Sequence, residues 1–160
     1  MWIAALGLAL VLVACSAEGT EGQVLGQPGP EGVIGSGIAT ASGTPWELSV
    51  RRSGENQVCL SITGGGEGCV SIPDGDRPLE GLFSGGGRGP ETAYVCVFGM
   101  VAPIVARVEV LFADGQQIPA QLFPGNGWQV DFFALCRGDD SIQVDRLSLL
   151  DSDGNFLGDG

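Results

Sequence analysis

Residues 106–123 read ARVEVLFADGQQIPAQLF, and this stretch decides the fold class. Ala106 to Phe112 has the composition of a β-strand. Asp114-Gly115 is the two-residue signal of a tight hairpin, and Gln117 to Phe123 reads as the returning arm. Pro119 lacks an N–H to give to a ladder, which places that arm at an edge or a bulge. Upstream, Trp46 to Arg51 (WELSVR) alternates apolar and polar residues as a half-buried strand does. Ser53-Gly54-Glu55-Asn56 forms a turn, Val58 to Ile62 resumes a strand, and a loop with Gly64, Gly65, Gly66 and Gly68 leads to another at Cys69 to Ile72. Pro73 to Pro90 holds six Gly and three Pro, and is expected to be a long irregular excursion around a short Leu79 to Phe83 segment. Further strands are expected at Tyr94 to Val97, Trp128 to Leu135, Ile142 to Leu150 and Phe156-Leu157, with turns at 124–127 and at Asp153-Gly154. No 12-residue window carries a helical stripe. Seven to nine short strands separated by turns predict an all-β fold. The expected architecture is an antiparallel β-sandwich, immunoglobulin-like in its layering, over residues 44–160.

Composition narrows the chemistry. The chain has 160 residues, 19 acidic against 7 basic, for a net charge of −12. All the basic residues are Arg. A chain without His or Lys excludes a Ser-His-Asp triad, a Ser-Lys dyad, a Schiff base and any zinc site built on imidazole. The negative balance argues against nucleic acid as a partner, since that needs a positive footprint. With no recognisable catalytic constellation, no enzymatic activity and no cofactor are expected.

The N-terminus reads as an address. Trp2 to Ala14 is an uncharged apolar run; as a helix it would reach only about 20 Å, short of a hydrocarbon core of roughly 30 Å. It fits the apolar region of an export signal better than a membrane span. Leu12-Val13-Ala14-Cys15 at its end resembles the lipobox of bacterial lipoproteins. That resemblance implies cleavage after Ala14, a diacylglyceryl group and a fatty acyl (palmitate-type) chain on Cys15, and a location at the cell membrane facing away from the cytoplasm. No Lys or Arg precedes the run, which departs from the usual signal.

Residues 16–32 carry five Gly, two Pro and three Glu, a composition unable to bury enough surface to offset its ordering entropy. The expected organisation is therefore a signal peptide at 1–14, a lipidated N-terminus and flexible linker at 15–43, and the sandwich beyond. Val33 to Ala41 is either a first strand or the end of the linker. No basic residue lies between 16 and 43, so lipid alone would hold the protein to the membrane.

With Cys15 assigned to lipid, Cys59, Cys69, Cys96 and Cys136 remain, an even number that reads as two disulfides in an exported domain. Of three possible pairings, Cys59–Cys69 and Cys96–Cys136 are favoured, the first closing a short hairpin-like loop and the second joining two later strands. Tyr94-Val95-Cys96 echoes the Tyr-x-Cys of an immunoglobulin strand, although the upstream cysteines lie too close for that framework.

Other constellations have plainer readings beside them. Asp151, Asp153, Asn155 and Asp159 fall at positions 1, 3, 5 and 9 of a calcium-loop spacing, but the glycine is misplaced and the twelfth position lies past Gly160. A hairpin turn explains Asp153-Gly154 equally well, so no metal is expected. Arg137-Gly138-Asp139 spells an adhesion tripeptide and also suits a turn. Asp139, Asp140 and Asp145 could supply an acid/base pair, but no spacing singles one out.

The C-terminal half, through Val105 to Val110, Ala113-Asp114-Gly115 and Leu150 to Gly154, resembles small extracytoplasmic β-sandwich domains of high-GC Gram-positive bacteria. These readings converge on a lipid-anchored interaction or structural module. Its partners would be the membrane and an extracytoplasmic protein or polymer. A small-ligand or calcium-binding lipoprotein is the alternative.

Overall fold

The runs YVCVFGMV at 94–101 and FFALC at 132–136 are apolar at consecutive rather than alternate positions. A strand of that composition has to bury both faces. In the computed structural model, which describes residues 30–72, 76–88, 93–138 and 143–160, both runs do so. They lie at the heart of a three-layered, all-β protein.

The first outer sheet holds β1 (Gly32–Ile38), β2 (Pro45–Arg52), β3 (Gln57–Ile62) and β4 (Gly66–Ser71) in that order. The central sheet is ordered β5 (Leu79–Arg88), β6 (Ala93–Val101), β10 (Asp131–Gly138), β9 (Gln121–Phe123). The second outer sheet is ordered β12 (Phe156–Asp159), β11 (Val144–Leu150), β7 (Arg107–Phe112), β8 (Gln117–Pro119). All these strand pairs are antiparallel. No helix among the described residues is long and apolar enough to cross a membrane.

Because strand side chains alternate between faces, β6 and β10 each divide their apolar residues between two cores. Tyr94, Cys96, Phe98, Met100, Phe132 and Ala134 pack with Trp46, Leu48, Val50, Val58, Leu60 and Ile62 of the first outer sheet. Val97, Val101, Phe133 and Leu135 pack with Val108, Val110, Phe112, Leu147 and Leu149 of the second. The expected antiparallel sandwich is thus present with one layer more than a simple two-sheet design.

Several local expectations change. Residues 32–38 take the strand option: β1 pairs with β2 from Gly32↔Val50 to Ile38↔Pro45, so the sandwich begins upstream of Thr44. Beyond it, the Thr40 N–H donates to Cys136 O at 2.9 Å and the Gly138 N–H to Thr40 O at 2.6 Å, tying the first outer sheet to the central one. The irregular excursion expected after Pro73 is largely the long strand β5, which pairs with β6 from Leu79↔Val101 to Arg88↔Ala93. Gly85 is there for close approach: a Cβ on it would lie 1.5 Å from the carbonyl oxygen of Gly65.

The hairpin after Phe112 has three loop residues rather than two. Phe112 N–H donates to Gln116 O, leaving Ala113-Asp114-Gly115 in the loop, with Gly115 left-handed at φ 85°. The returning arm splits: β8 edges the second outer sheet, Ala120 donates to Val108 O, and β9 joins the central sheet. Pro119 sits on the edge strand, as its missing donor requires. Residues 124–130 are turns and bridges, and β10 starts at Asp131 rather than Trp128.

Candidate functional site

The residues 58, 60 and 62 of β3 point into the core, so Cys59 and Ser61 face the opposite, outer side of the first sheet. On that side, register places Arg51 opposite Cys59 and Cys59 opposite Cys69, a row across β2, β3 and β4. Cys59 and Cys69 are disulfide-bonded, with Cα atoms 4.0 Å apart. Arg51 reaches over the row to Glu67 of β4: its Nε donates to Oε2 at 2.9 Å and its Nη2 to Oε1 at 2.5 Å. Cys59 is consequently fully buried on a solvent-facing side, whereas Cys69 is exposed. The hydrogen bonds from Arg51 hold Glu67 below the ordinary carboxylate range, and Glu67 in turn raises Arg51. Glu67 Oε1 lies 3.9 Å from Cys69 Sγ. Cys59, Glu67 and Cys69 form the one three-donor cluster among the described residues, but with the sulfurs bonded to each other only the carboxylate is left to coordinate an ion.

The second disulfide has the opposite setting. Cys96 of β6 and Cys136 of β10 are directly paired, their Cα atoms 4.1 Å apart, and both are buried between the first outer and central sheets. Both bridges therefore join neighbouring strands of one sheet, unlike an immunoglobulin bridge between sheets. Tyr94 donates its hydroxyl to Thr63 O at 2.7 Å, across to the turn between β3 and β4.

The oxygens of the C-terminal loop are turned inward on the chain. Asp151 Oδ1 accepts from the N–H groups of Asp153 at 2.9 Å and Asn155 at 2.8 Å, and Oδ2 accepts from Asn155 Nδ2 at 2.9 Å. Those bonds, the Asn155 side chain first, hold the Asp151 carboxyl below its usual range. Asp159 lies apart on β12, with Oδ1 3.8 Å from Arg146 Nε. The hollow beside the turn, about 380 Å³, is lined by Asp151 and Asp153 together with Arg107, a cation. The spacing thus builds a hairpin turn, with Asp151 as its internal acceptor.

Arg137, the first residue of the tripeptide, is enclosed between layers. Its Nη2 donates to Asp114 Oδ2 at 2.7 Å, and its guanidinium lies 4.9 Å from the Phe112 ring centroid. Asp114, at the hairpin tip of the second outer sheet, also accepts from the Gln116 N–H at 3.0 Å. Arg137 and then Gln116 hold the Asp114 carboxyl below its ordinary value. A depressed folded-state pKa adds stability that is complete above the unfolded value of about 3.9 and disappears as pH falls through the folded one. We predict that Asp114→Asn is less stable than wild type at neutral pH, and that the gap closes below about pH 4. Paired thermal melts across pH test this; a gap unchanged at pH 2 contradicts it.

A groove of about 290 Å³ opens between β5 and β11, lined by Leu82, Ser84, Val97, Val144, Asp145 and Gly160, among others. It is at the small end of ligand-sized cavities. Cys15, Asp139 and Asp140 lie outside the described residues. The arrangement on β2, β3 and β4 was not apparent in the sequence, because Arg51, Cys59 and Glu67 meet only through cross-strand register. Comparison with protein-family models, with curated proteins and with solved structures finds no match for the chain.

Proposed function

We propose that the protein is a lipid-anchored, extracytoplasmic interaction or structural module: a disulfide-bonded β-sandwich held at the outer side of the cell membrane through Cys15. The carrying observation concerns the cysteines. Cys59, Cys69, Cys96 and Cys136 are all bridged. Disulfides persist in oxidising compartments outside the cytoplasm, so two of them fit an exported chain. Cys15 is the cysteine left over, and it stands where the apolar run ends and the lipobox resemblance puts the modified thiol.

The tether supports the same reading. Fourteen residues (16–29) lie between Cys15 and the described fold, and a Gly-rich chain of that length would span on the order of 20 Å, enough to lift a domain clear of the lipid headgroups. A net charge of −12 disfavours adhesion to anionic lipid, so the protein part would contribute little to membrane attachment.

The test is fractionation of cells that express the wild-type chain or Cys15→Ser. Wild type should sediment with membranes and enter detergent. The variant should lose most of its membrane fraction while the folded part keeps its melting temperature. Equal membrane partition of the two overturns the proposal.

A further inference from the structure

The two disulfides occupy contrasting positions, and the contrast points to chemistry at one of them. Cys96–Cys136 is enclosed between two sheets, so no solute reaches its sulfurs without opening the core. Cys59–Cys69 lies on the outer face of the first sheet, with Cys69 open to solvent and Cys59 covered. Exchange requires in-line attack by a thiolate on one sulfur and departure of the other as a thiolate. Access selects Cys69 as the sulfur attacked, and Cys59 is then the leaving group.

Burial alone disfavours a thiolate at Cys59, but the covered side has a cation beside it. Arg51 stands directly opposite Cys59 in the ladder and bridges over it to Glu67. A neighbouring guanidinium lowers a thiol pKa and so improves the thiolate as a leaving group. Glu67, 3.9 Å from Cys69 Sγ, opposes an incoming anion, and Arg51 divides its one positive charge between Glu67 and the Cys59 side. The Arg51–Glu67 pair is about half exposed, so it yields readily to side-chain movement.

We propose that Cys59–Cys69 is an exchangeable disulfide. A small external thiol attacks Cys69 Sγ, and Cys59 departs as a thiolate beside Arg51. The balance is complete: the incoming sulfur forms a mixed disulfide with Cys69, the Cys59–Cys69 bond breaks, and Cys59 keeps its electron pair. A second equivalent of thiol then attacks its counterpart in the mixed disulfide, releasing the small-molecule disulfide and leaving Cys69 reduced. Two thiols are oxidised and one protein disulfide is reduced. The partner class is therefore a low-molecular-weight thiol, with Arg51 as a positioning residue.

The folded protein is mixed with glutathione over a concentration series, quenched with acid, alkylated and mapped by mass spectrometry. The expected result is opening of Cys59–Cys69 at least tenfold faster than Cys96–Cys136, with the glutathione adduct on Cys69. Arg51→Gln should slow the exchange several-fold and Arg51→Lys should restore most of it, both with unchanged melting temperature. Equal rates for the two bridges, an adduct on Cys59, or an Arg51→Gln variant that exchanges as fast as wild type overturns the proposal.

Discussion

Phe132→Ala and Phe133→Ala should each lower unfolding free energy by about 3–5 kcal/mol, although the two residues are adjacent on one strand. In a sheet with one solvated face, neighbouring positions point opposite ways, and one of them would be exposed. Both are fully buried here: Phe132 packs against the first outer sheet's residues and Phe133 against the second's. Each truncation leaves a cavity in a different core. Urea unfolding of both variants, with unchanged slope, measures the two losses. If either costs under about 0.5 kcal/mol, as a surface site would, β10 is not sandwiched between two layers.

Removal of the buried bridge should be the next largest effect. Cys96 and Cys136 are 40 residues apart in sequence, against 10 for Cys59 and Cys69. Loop-closure entropy then assigns about 4 kcal/mol to the longer bridge and about 3 kcal/mol to the shorter. Burial widens the difference, because alanines at 96 and 136 also leave sulfur-sized gaps in a buried core. The pair of double variants, Cys96→Ala/Cys136→Ala and Cys59→Ala/Cys69→Ala, should therefore melt in that order, the former lower. The reverse order would mean that the central sheet does not carry the stability of the whole.

How much of this was legible depends on which physical signal each segment leaves. β2 is an outer strand with one wet face, so WELSVR alternates and its inward residues Trp46, Leu48 and Val50 could be read directly. The central strands leave no alternation to count, since both faces are dry; the continuous apolar runs of β6 and β10 were the available sign of a third layer. Glycines 85–87 resembled a loop because the reason for Gly85 is another segment's carbonyl, Gly65 O, which no local pattern reveals. Asp114-Gly115 located the hairpin, but its third loop residue depends on the left-handed Gly115 and the resulting register.

The disulfide pairing was legible because Cys59 and Cys69 flank a short hairpin-like loop, which leaves Cys96 and Cys136 to join two later strands. Cys59 and Cys69 prove to be directly opposite across β3 and β4, and Cys96 and Cys136 across β6 and β10. The Arg51–Glu67 bridge over Cys59 was not, because it spans three strands. Aligning the two hairpins of the first sheet in register would have put residues 51, 59 and 69 in one row. The calcium-like spacing at 151–159 shows the converse case: oxygens at suitable intervals fold into a turn that uses the Asp151 carboxylate itself.

Lipid anchoring and export are both read from the intact mass of the mature protein, extracted from membranes in detergent without reductant. A single value reports the first residue, the lipid and the oxidation state together. The expected mass is that of a chain beginning at Cys15, heavier by a diacylglyceryl group and any amide-linked acyl chain, and lighter by the hydrogens of two disulfides. A mass equal to the unprocessed 160-residue chain with all five thiols free would contradict both anchoring and export.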